Sequence, residues 1–364
     1  MTSPRFRWPG RLLLILSSTV IALALTEGAL RAYYWSRGVG RADLPELLRL
    51  SQQGPTELVD ARSVFGIVQP SPFPDVVYEL RPNLSGRFRG AEFATNRFGL
   101  RGPDTTRSKP AGTLRIAGLG DSHMFGWGVG QEETFLALLA QRLGQRGVEV
   151  ETLNFAAPGY NTAIEAAVYD RKARHFDPDL VVLHFVGNDL GLPHHLQPPR
   201  QLQPSDWYLV ESLRTLFADR GLDGELELLP HNLRRLPVAE RHAARGRYAY
   251  MVGEEGYRRA MAKVAQATQR DGVPLLILLQ SQRDLVSAVA AEHQIPVLDA
   301  APDFFAELKA TGDTSRAAWK ATFRIPKDGH PTVAAHRAYA ACLEQALAER
   351  GFIPSTAAGT VANR

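Results

Sequence analysis

Four short stretches of the 364-residue chain hold side chains suited to covalent chemistry at an acyl carbon. Gly118-Leu119-Gly120-Asp121-Ser122-His123-Met124-Phe125-Gly126 supplies a serine, and Asn154-Phe155-Ala156-Ala157-Pro158-Gly159-Tyr160-Asn161 a glycine. Val186-Gly187-Asn188-Asp189 supplies a side-chain amide, and Pro326-Lys327-Asp328-Gly329-His330-Pro331 an acid with an imidazole. A serine hydroxyl is a poor nucleophile until an imidazole takes its proton. The imidazole in turn needs a carboxylate on its other nitrogen to fix the tautomer and stabilise the imidazolium. Ser122, His330 and Asp328 are the candidates for these roles. A tetrahedral intermediate needs fixed donors aimed at its oxyanion, and the Ser122 N–H, the Gly159 N–H and the Asn188 amide are the candidates. Gly159 suits a place where backbone must approach substrate. Asp121, His123 and Asp189 stand beside these groups as candidate pocket residues.

Positioning them requires strand ends that converge. From residue 113 the chain alternates strand and helix patterns: Leu114–Leu119, helical spacing over Glu132–Leu143, Val148–Phe155, helical spacing over Ala163–Arg174, then Leu180–Val186 and Pro274–Leu279. Helix Asp284–Glu292, strand Pro296–Leu298 and helix Val333–Glu349 close the series. Runs such as LVVLHFV are apolar on both faces, which a strand tolerates where helices cover the sheet on each side. The expectation is a flavodoxin-like three-layer α/β/α sandwich with a mainly parallel sheet, its chemistry at the C-terminal strand ends. Upstream, Val76-Val77-Tyr78 and the segment around Arg87–Ala94 read as short accessory strands.

At the quoted residues the sequence resembles the SGNH/GDSL hydrolase superfamily. Its four blocks match Asp121-Ser122, Gly159, Gly187-Asn188-Asp189, and Asp328 with His330, in the family's order over residues 113–350. Thr95-Asn96-Arg97-Phe98-Gly99-Leu100-Arg101-Gly102 also resembles a segment that precedes the serine block in membrane-anchored bacterial members. The resemblance implies a serine-dependent hydrolase of O-acyl or O-acetyl esters of envelope carbohydrate or lipid. It extends to periplasmic polysaccharide O-acetyltransferases, in which a sugar hydroxyl replaces water. A non-catalytic binding protein on the same fold is the third alternative. The family's usual acid stands three positions before its histidine, whereas Asp328 stands two before His330, so Asp299 and Asp303 are alternative orienters. His336 reads as a packing or capping residue.

Composition narrows the rest. Lys and Arg number 42 against 38 Asp and Glu, and the seven arginines of residues 1–50 face three acids there, so residues 51–364 balance at 35 to 35. A neutral body lacks the field that draws in a polyanion, which argues against nucleic acid as a partner. The excess charge flanks Leu12–Leu25, an uncharged apolar run. With Thr26–Tyr34 included, residues 12–34 are long enough for a membrane span. Ala22-Leu23-Ala24 is an alternative signal-peptide cleavage site, but Tyr33, Tyr34 and Trp35 resemble an interfacial belt and favour a retained anchor. The expected location is the inner membrane, with the main domain in the periplasm or outside the cell.

The expected organisation is an anchor or signal peptide over 1–35, a stem with accessory strands over 36–110, the hydrolase-like domain over 111–350, and a tail over 351–364. Residues 191–250 form an insertion expected to act as a lid. No cofactor or metal is expected. His194-His195 lacks an HExxH pattern or a neighbouring ligand cluster, and Gly126-Trp127-Gly128-Val129-Gly130 imitates a phosphate loop without a following GK[ST]. Trp207-Tyr208 reads as packing, with stacking on a sugar as the alternative. The single cysteine, Cys342, reads as a buried structural thiol.

Overall fold

The computed structural model describes residues 8–36, 57–61, 64–193, 207, 209–210 and 248–354. The chain divides into two compact units, Met1–Glu46 with Gln197–Leu229, and Leu47–Leu196 with Pro230–Arg364. The first is built on helix α1 (Trp8–Ser36), of which Leu12–Ala32 is long and apolar enough to cross a membrane. Its apolar side chains are exposed, Leu13 and Leu25 at 71% and 70%. Glu27 and Arg31 pair one helical turn apart at 2.8 Å, which lowers the cost of carrying both charges in an apolar stretch. Most of the insertion expected to act as a lid, with His194-His195 and Tyr208, lies outside the described residues.

The second unit opens with short accessory strands. Strand β1 (Glu57–Ala61) runs parallel to β4 (Ser85–Phe88), which pairs antiparallel with β5 (Ala91–Ala94). Between them in sequence, β2 (Val68–Pro70) and β3 (Tyr78–Leu80) form an antiparallel pair. The strand expected at Val76-Val77-Tyr78 starts only at Tyr78. Val76 and Val77 sit in a turn closed on Phe73 O, with Val77 at φ +68, outside strand geometry.

The main sheet holds β6 (Leu114–Leu119), β7 (Val150–Asn154), β8 (Leu180–His184), β9 (Leu275–Leu279) and β10 (Val297–Asp299). All neighbours are parallel, in the order β10-β9-β8-β6-β7. Every residue of β8 and β9 is buried, as the two-sided apolar runs require. The helices are α2 (Ser122–Phe125), α3 (Phe135–Gln145), α4 (Thr162–Arg171), α5 (Gly253–Asp271), α6 (Asp284–Glu292), α7 (Ala301–Ala310), α8 (Arg316–Phe323) and α9 (Val333–Glu349). Right-handed crossovers put α3 on one face, because β6 to β7 steps outward, and α4, α5 and α6 on the other. The packing agrees: α3 lies against α9, and α4 against α5. The strand order reverses between β6 and β8, so the ends of those two strands flank the crevice where open α/β sheets bind ligands. Ser122 follows β6, and Asn188 follows β8.

Candidate active site

At the end of β6 the backbone turns through Gly120 into α2, with Asp121 as the N-cap. Asp121 accepts from His123 N through Oδ1 at 2.8 Å and from Asn188 Nδ2 through Oδ2 at 2.8 Å, and the Ser122 hydroxyl lies 3.4 Å from the same Oδ2. Burial raises the Asp121 pKa, while the His123 N–H and the Asn188 amide oppose the rise. Asn154, at the end of β7, donates to Met124 O at 3.1 Å and so ties α2 to the sheet. The short helix ends at Gly126, whose φ of +90 only glycine adopts without strain.

Arg101 holds the turn that follows. Its guanidinium, 4% exposed, donates to Phe125 O (2.9 Å), Gly126 O and Val129 O (2.7 Å), and Nε donates to Gln131 Oε1 at 3.2 Å. Burial lowers its pKa to about 9, so the group stays charged at neutral pH. The upstream segment singled out in the sequence therefore braces the serine turn. Removing the guanidinium leaves several buried carbonyls without a donor, at about 1–3 kcal/mol each where unmet. Arg101→Met is expected to lower unfolding stability by about 3 kcal/mol in denaturant melts; a change below about 0.5 kcal/mol would overturn this account.

His330 comes from the loop between α8 and α9. Ile325 N donates to His330 O at 2.8 Å, and Asp328 N and Gly329 N donate back to Ile325 O. The tight turn places Lys327 at φ +63 and Gly329 at φ +86. Folded this way, Asp328 Oδ1 meets His330 Nδ1 in a hydrogen bond. His330 Nε2 lies 2.9 Å from Ser122 Oγ. The His330 partnership pulls the Asp328 pKa down to about 2. Of the alternative orienters, Asp299 is engaged elsewhere, capping Ala301 N at 2.9 Å, and Asp303 stands in the first turn of α7.

Trp127 is the residue the sequence reading missed. Its Nε1 donates to Asp328 Oδ2 at 3.0 Å, and its indole stacks on the His330 ring at 4.7 Å and 16°. One side chain thus supports both the acid and the imidazole. The available signal was the pair of flanking glycines, both at positive φ (Gly126 +90, Gly128 +73), which mark a chain reversal around the tryptophan. Phe88 of β4 meets the same indole edge-on at 5.0 Å.

Gly159, at φ +80, lies in the turn after β7. Tyr78 of β3 steadies that turn by donating from its hydroxyl to Pro158 O at 2.9 Å. Asn188 sits in a 3-10 turn, Gly187–Leu190, and its Nδ2 reaches Asp121, beside Ser122. The three pocket candidates divide. Asp121 and Asp189 are each 1% exposed and hold backbone N–H groups, Asp189 that of Val186 at 2.9 Å, so they face the interior. His123 keeps some exposure, with its ring 5.7 Å from that of His330. His336 accepts from Phe135 N at 3.2 Å, a packing role, and burial lowers its pKa to about 3. Cys342 is buried and its thiol is pushed up to about 12, foremost by burial.

The fold and the serine–imidazole–carboxylate chain at its switch point have the form of an acyl-ester hydrolase. A family model described as GDSL-like lipase/acylhydrolase matches residues 119–338, and the chain belongs to that family of carboxylic-ester hydrolases. Among solved structures it is similar to a lipase/acylhydrolase from Enterococcus faecalis, at 14% identity over 67% of this chain and 99% of that one (TM-score 0.38). It is similar to a psychrotrophic esterase from Pseudoalteromonas sp., at 10% identity over 66% and 99% (TM-score 0.39). It is also similar to an acetylxylan esterase from Geobacillus stearothermophilus, at 13% identity over 64% and 93% (TM-score 0.38). A search of curated proteins finds no match.

Proposed function

We propose that the chain is a membrane-tethered serine esterase that removes O-acyl or O-acetyl groups from envelope carbohydrate or lipid, with Ser122 as nucleophile. The observation that carries this reading is the 2.9 Å contact between Ser122 Oγ and His330 Nε2, backed by the Asp328 bond to Nδ1. Ser122 Oγ attacks the ester carbonyl as its proton passes to His330 Nε2. Asp328, ionised down to about pH 2, balances the imidazolium. The Ser122 and Gly159 N–H groups and the second Asn188 Nδ2 hydrogen take the oxyanion. His330 then returns the proton to the leaving alkoxide, and water attacks the acyl-enzyme by the same relay to release acid and free serine.

Residues 12–34 act as the tether, with residues 36–110 as stem and accessory layer and 111–350 as the catalytic domain outside the inner membrane. The apolar exposure of α1 and its arginine-rich leader support this placement. The full chain in detergent is expected to take up one equivalent of a fluorophosphonate probe on Ser122. Absence of labelling on an enzyme that folds would overturn the reading. Mass analysis of products formed with an acetyl donor and an oligosaccharide is expected to show free acetate; acetylated oligosaccharide alone would make the chain a transferase and overturn the hydrolase reading.

A further inference from the structure

The accessory hairpin brings a cation to the edge of this site. Arg89 sits at the tip between β4 and β5, at φ +53, with Gly90 beside it at φ +82, the pair of left-handed residues that a tight type I′ turn needs. The turn is fastened from two sides: Arg89 N donates to Ala61 O at 3.0 Å, and Arg87 Nε donates to Gly90 O at 3.1 Å. From there the Arg89 guanidinium lies 4.7 Å over the Trp127 ring, the same indole that stacks on His330 at 4.7 Å. The guanidinium and the imidazole thus share one aromatic neighbour.

Among the described residues Arg89 lacks the carboxylate partner that many surface arginines of the same unit have. The surface arginines Arg171, Arg258, Arg259, Arg270 and Arg337 of the same unit each face a carboxylate, at 3.3, 2.5, 3.1, 3.1 and 3.1 Å. Among the described residues no carboxylate or carbonyl accepts from Arg89, although its side chain is exposed. Asp328, the acid that Trp127 contacts, is engaged by His330 and by the indole N–H. The only charge next to it in sequence is another cation, the exposed Lys327. A guanidinium stacked on an aromatic ring keeps its N–H edge free for an oxyanion, and pinning it in place reduces the ordering entropy lost when a ligand binds.

We propose that Arg89 forms an oxyanion subsite beside the ester centre, so that the preferred substrate carries a carboxylate or phosphate close to its ester. The inference rests on the Ser122–His330 reading above and narrows its substrate class to anionic acyl carriers. Trp127 then serves both sides, holding the imidazole and carrying the guanidinium.

The test compares the full chain and its Arg89→Ala and Arg89→Glu variants on three acetyl esters. These are a monoacetylated glucose, a monoacetylated glucuronate and an acetylated glycerol phosphate. The wild type is expected to prefer at least one anionic ester over the neutral sugar, and that preference should fall as salt rises. Arg89→Ala should reduce the anionic-to-neutral ratio of kcat/KM about 10-fold, chiefly through KM, and Arg89→Glu should reduce it further. The glucuronate and phosphate arms separate the two sources of the oxyanion. Equal losses on all three esters would reduce Arg89 to a prop for Trp127 and overturn the proposal, as would a wild type with no anionic preference. Turnover of p-nitrophenyl acetate separates this failure from the larger one: if it persists, only the subsite is lost, and if the wild type lacks it, the esterase reading falls as well.

Discussion

Ser122→Ala is expected to lower kcat/KM for p-nitrophenyl acetate by about 10⁵-fold while leaving the fold intact. The size follows from what the substitution removes. Among the described residues the hydroxyl is the one group hydrogen-bonded to His330 Nε2, and without it the proposed relay has no nucleophile to activate. Members of such a relay act as a unit, so losing one forfeits most of what the set contributes. The oxyanion donors and substrate binding still leave about 10³–10⁴-fold over water. The hydroxyl's other contact, with Asp121 at 3.4 Å, is long, and Asp121 keeps its bonds to His123 N and the Asn188 amide. Thermal melting should therefore shift by no more than about 2 °C. The measurement is steady-state hydrolysis beside a melt; retention of more than about 1% of activity in a folded variant would remove Ser122 from the mechanism.

The strand-and-helix series was legible because each signal was local. The two-sided apolar runs at β8 and β9 demanded burial between helix layers, and helices α6 and α9 fall where the periodicity put them. The ends of β6, β7 and β8 then carry the serine, glycine and asparagine turns to one edge of the sheet. Other features depend on contacts between distant residues or on backbone freedom. The Trp127–Asp328 bond joins residues 201 positions apart, so no spacing announces it. Asp328 stands a position closer to its histidine than the family pattern, and its reach is set by a turn with Lys327 and Gly329 in the left-handed region. A lysine at that φ is uncommon, and its identity gives no warning of it. Asp121 and Asp189 looked like pocket residues because acids beside a nucleophile usually serve chemistry. Their burial comes from backbone N–H groups that need acceptors at helix starts, a demand that the residue type alone does not reveal. Arg101 was quoted only as part of a motif, and its purpose emerges from the four backbone carbonyls that it gathers.

Replacing Asp328 by Asn separates the orienting role of the acid from simple packing. The wild-type carboxylate meets His330 Nδ1 through Oδ1 and accepts from Trp127 Nε1 through Oδ2, so in the proposed relay it fixes the tautomer that leaves Nε2 free to take the serine proton. An amide of the same shape keeps one acceptor and gains two donors. If its oxygen stays on Trp127, its NH₂ faces Nδ1, and the imidazole must carry its proton on Nε2, where the base is needed. The expected loss in kcat is about 10³- to 10⁴-fold. The carboxylate is held ionised by its histidine partner, with a pKa near 2 against 3.8 in the unfolded chain. A depressed carboxylate pKa contributes stability that is complete above the unfolded value and lost as pH falls through the folded one. The wild type should thus keep this contribution at any pH above about 4, and a loss of activity above that point reports another group. In the variant, raising the pH should not restore the rate, because a wrong tautomer is not a titration. Trp127→Phe supplies the comparison: it retains a ring for His330 but removes the N–H to Asp328, and about a 10-fold loss is expected. Full activity in Asp328→Asn, or recovery of its rate at high pH, would mean that the imidazole is oriented by some other group.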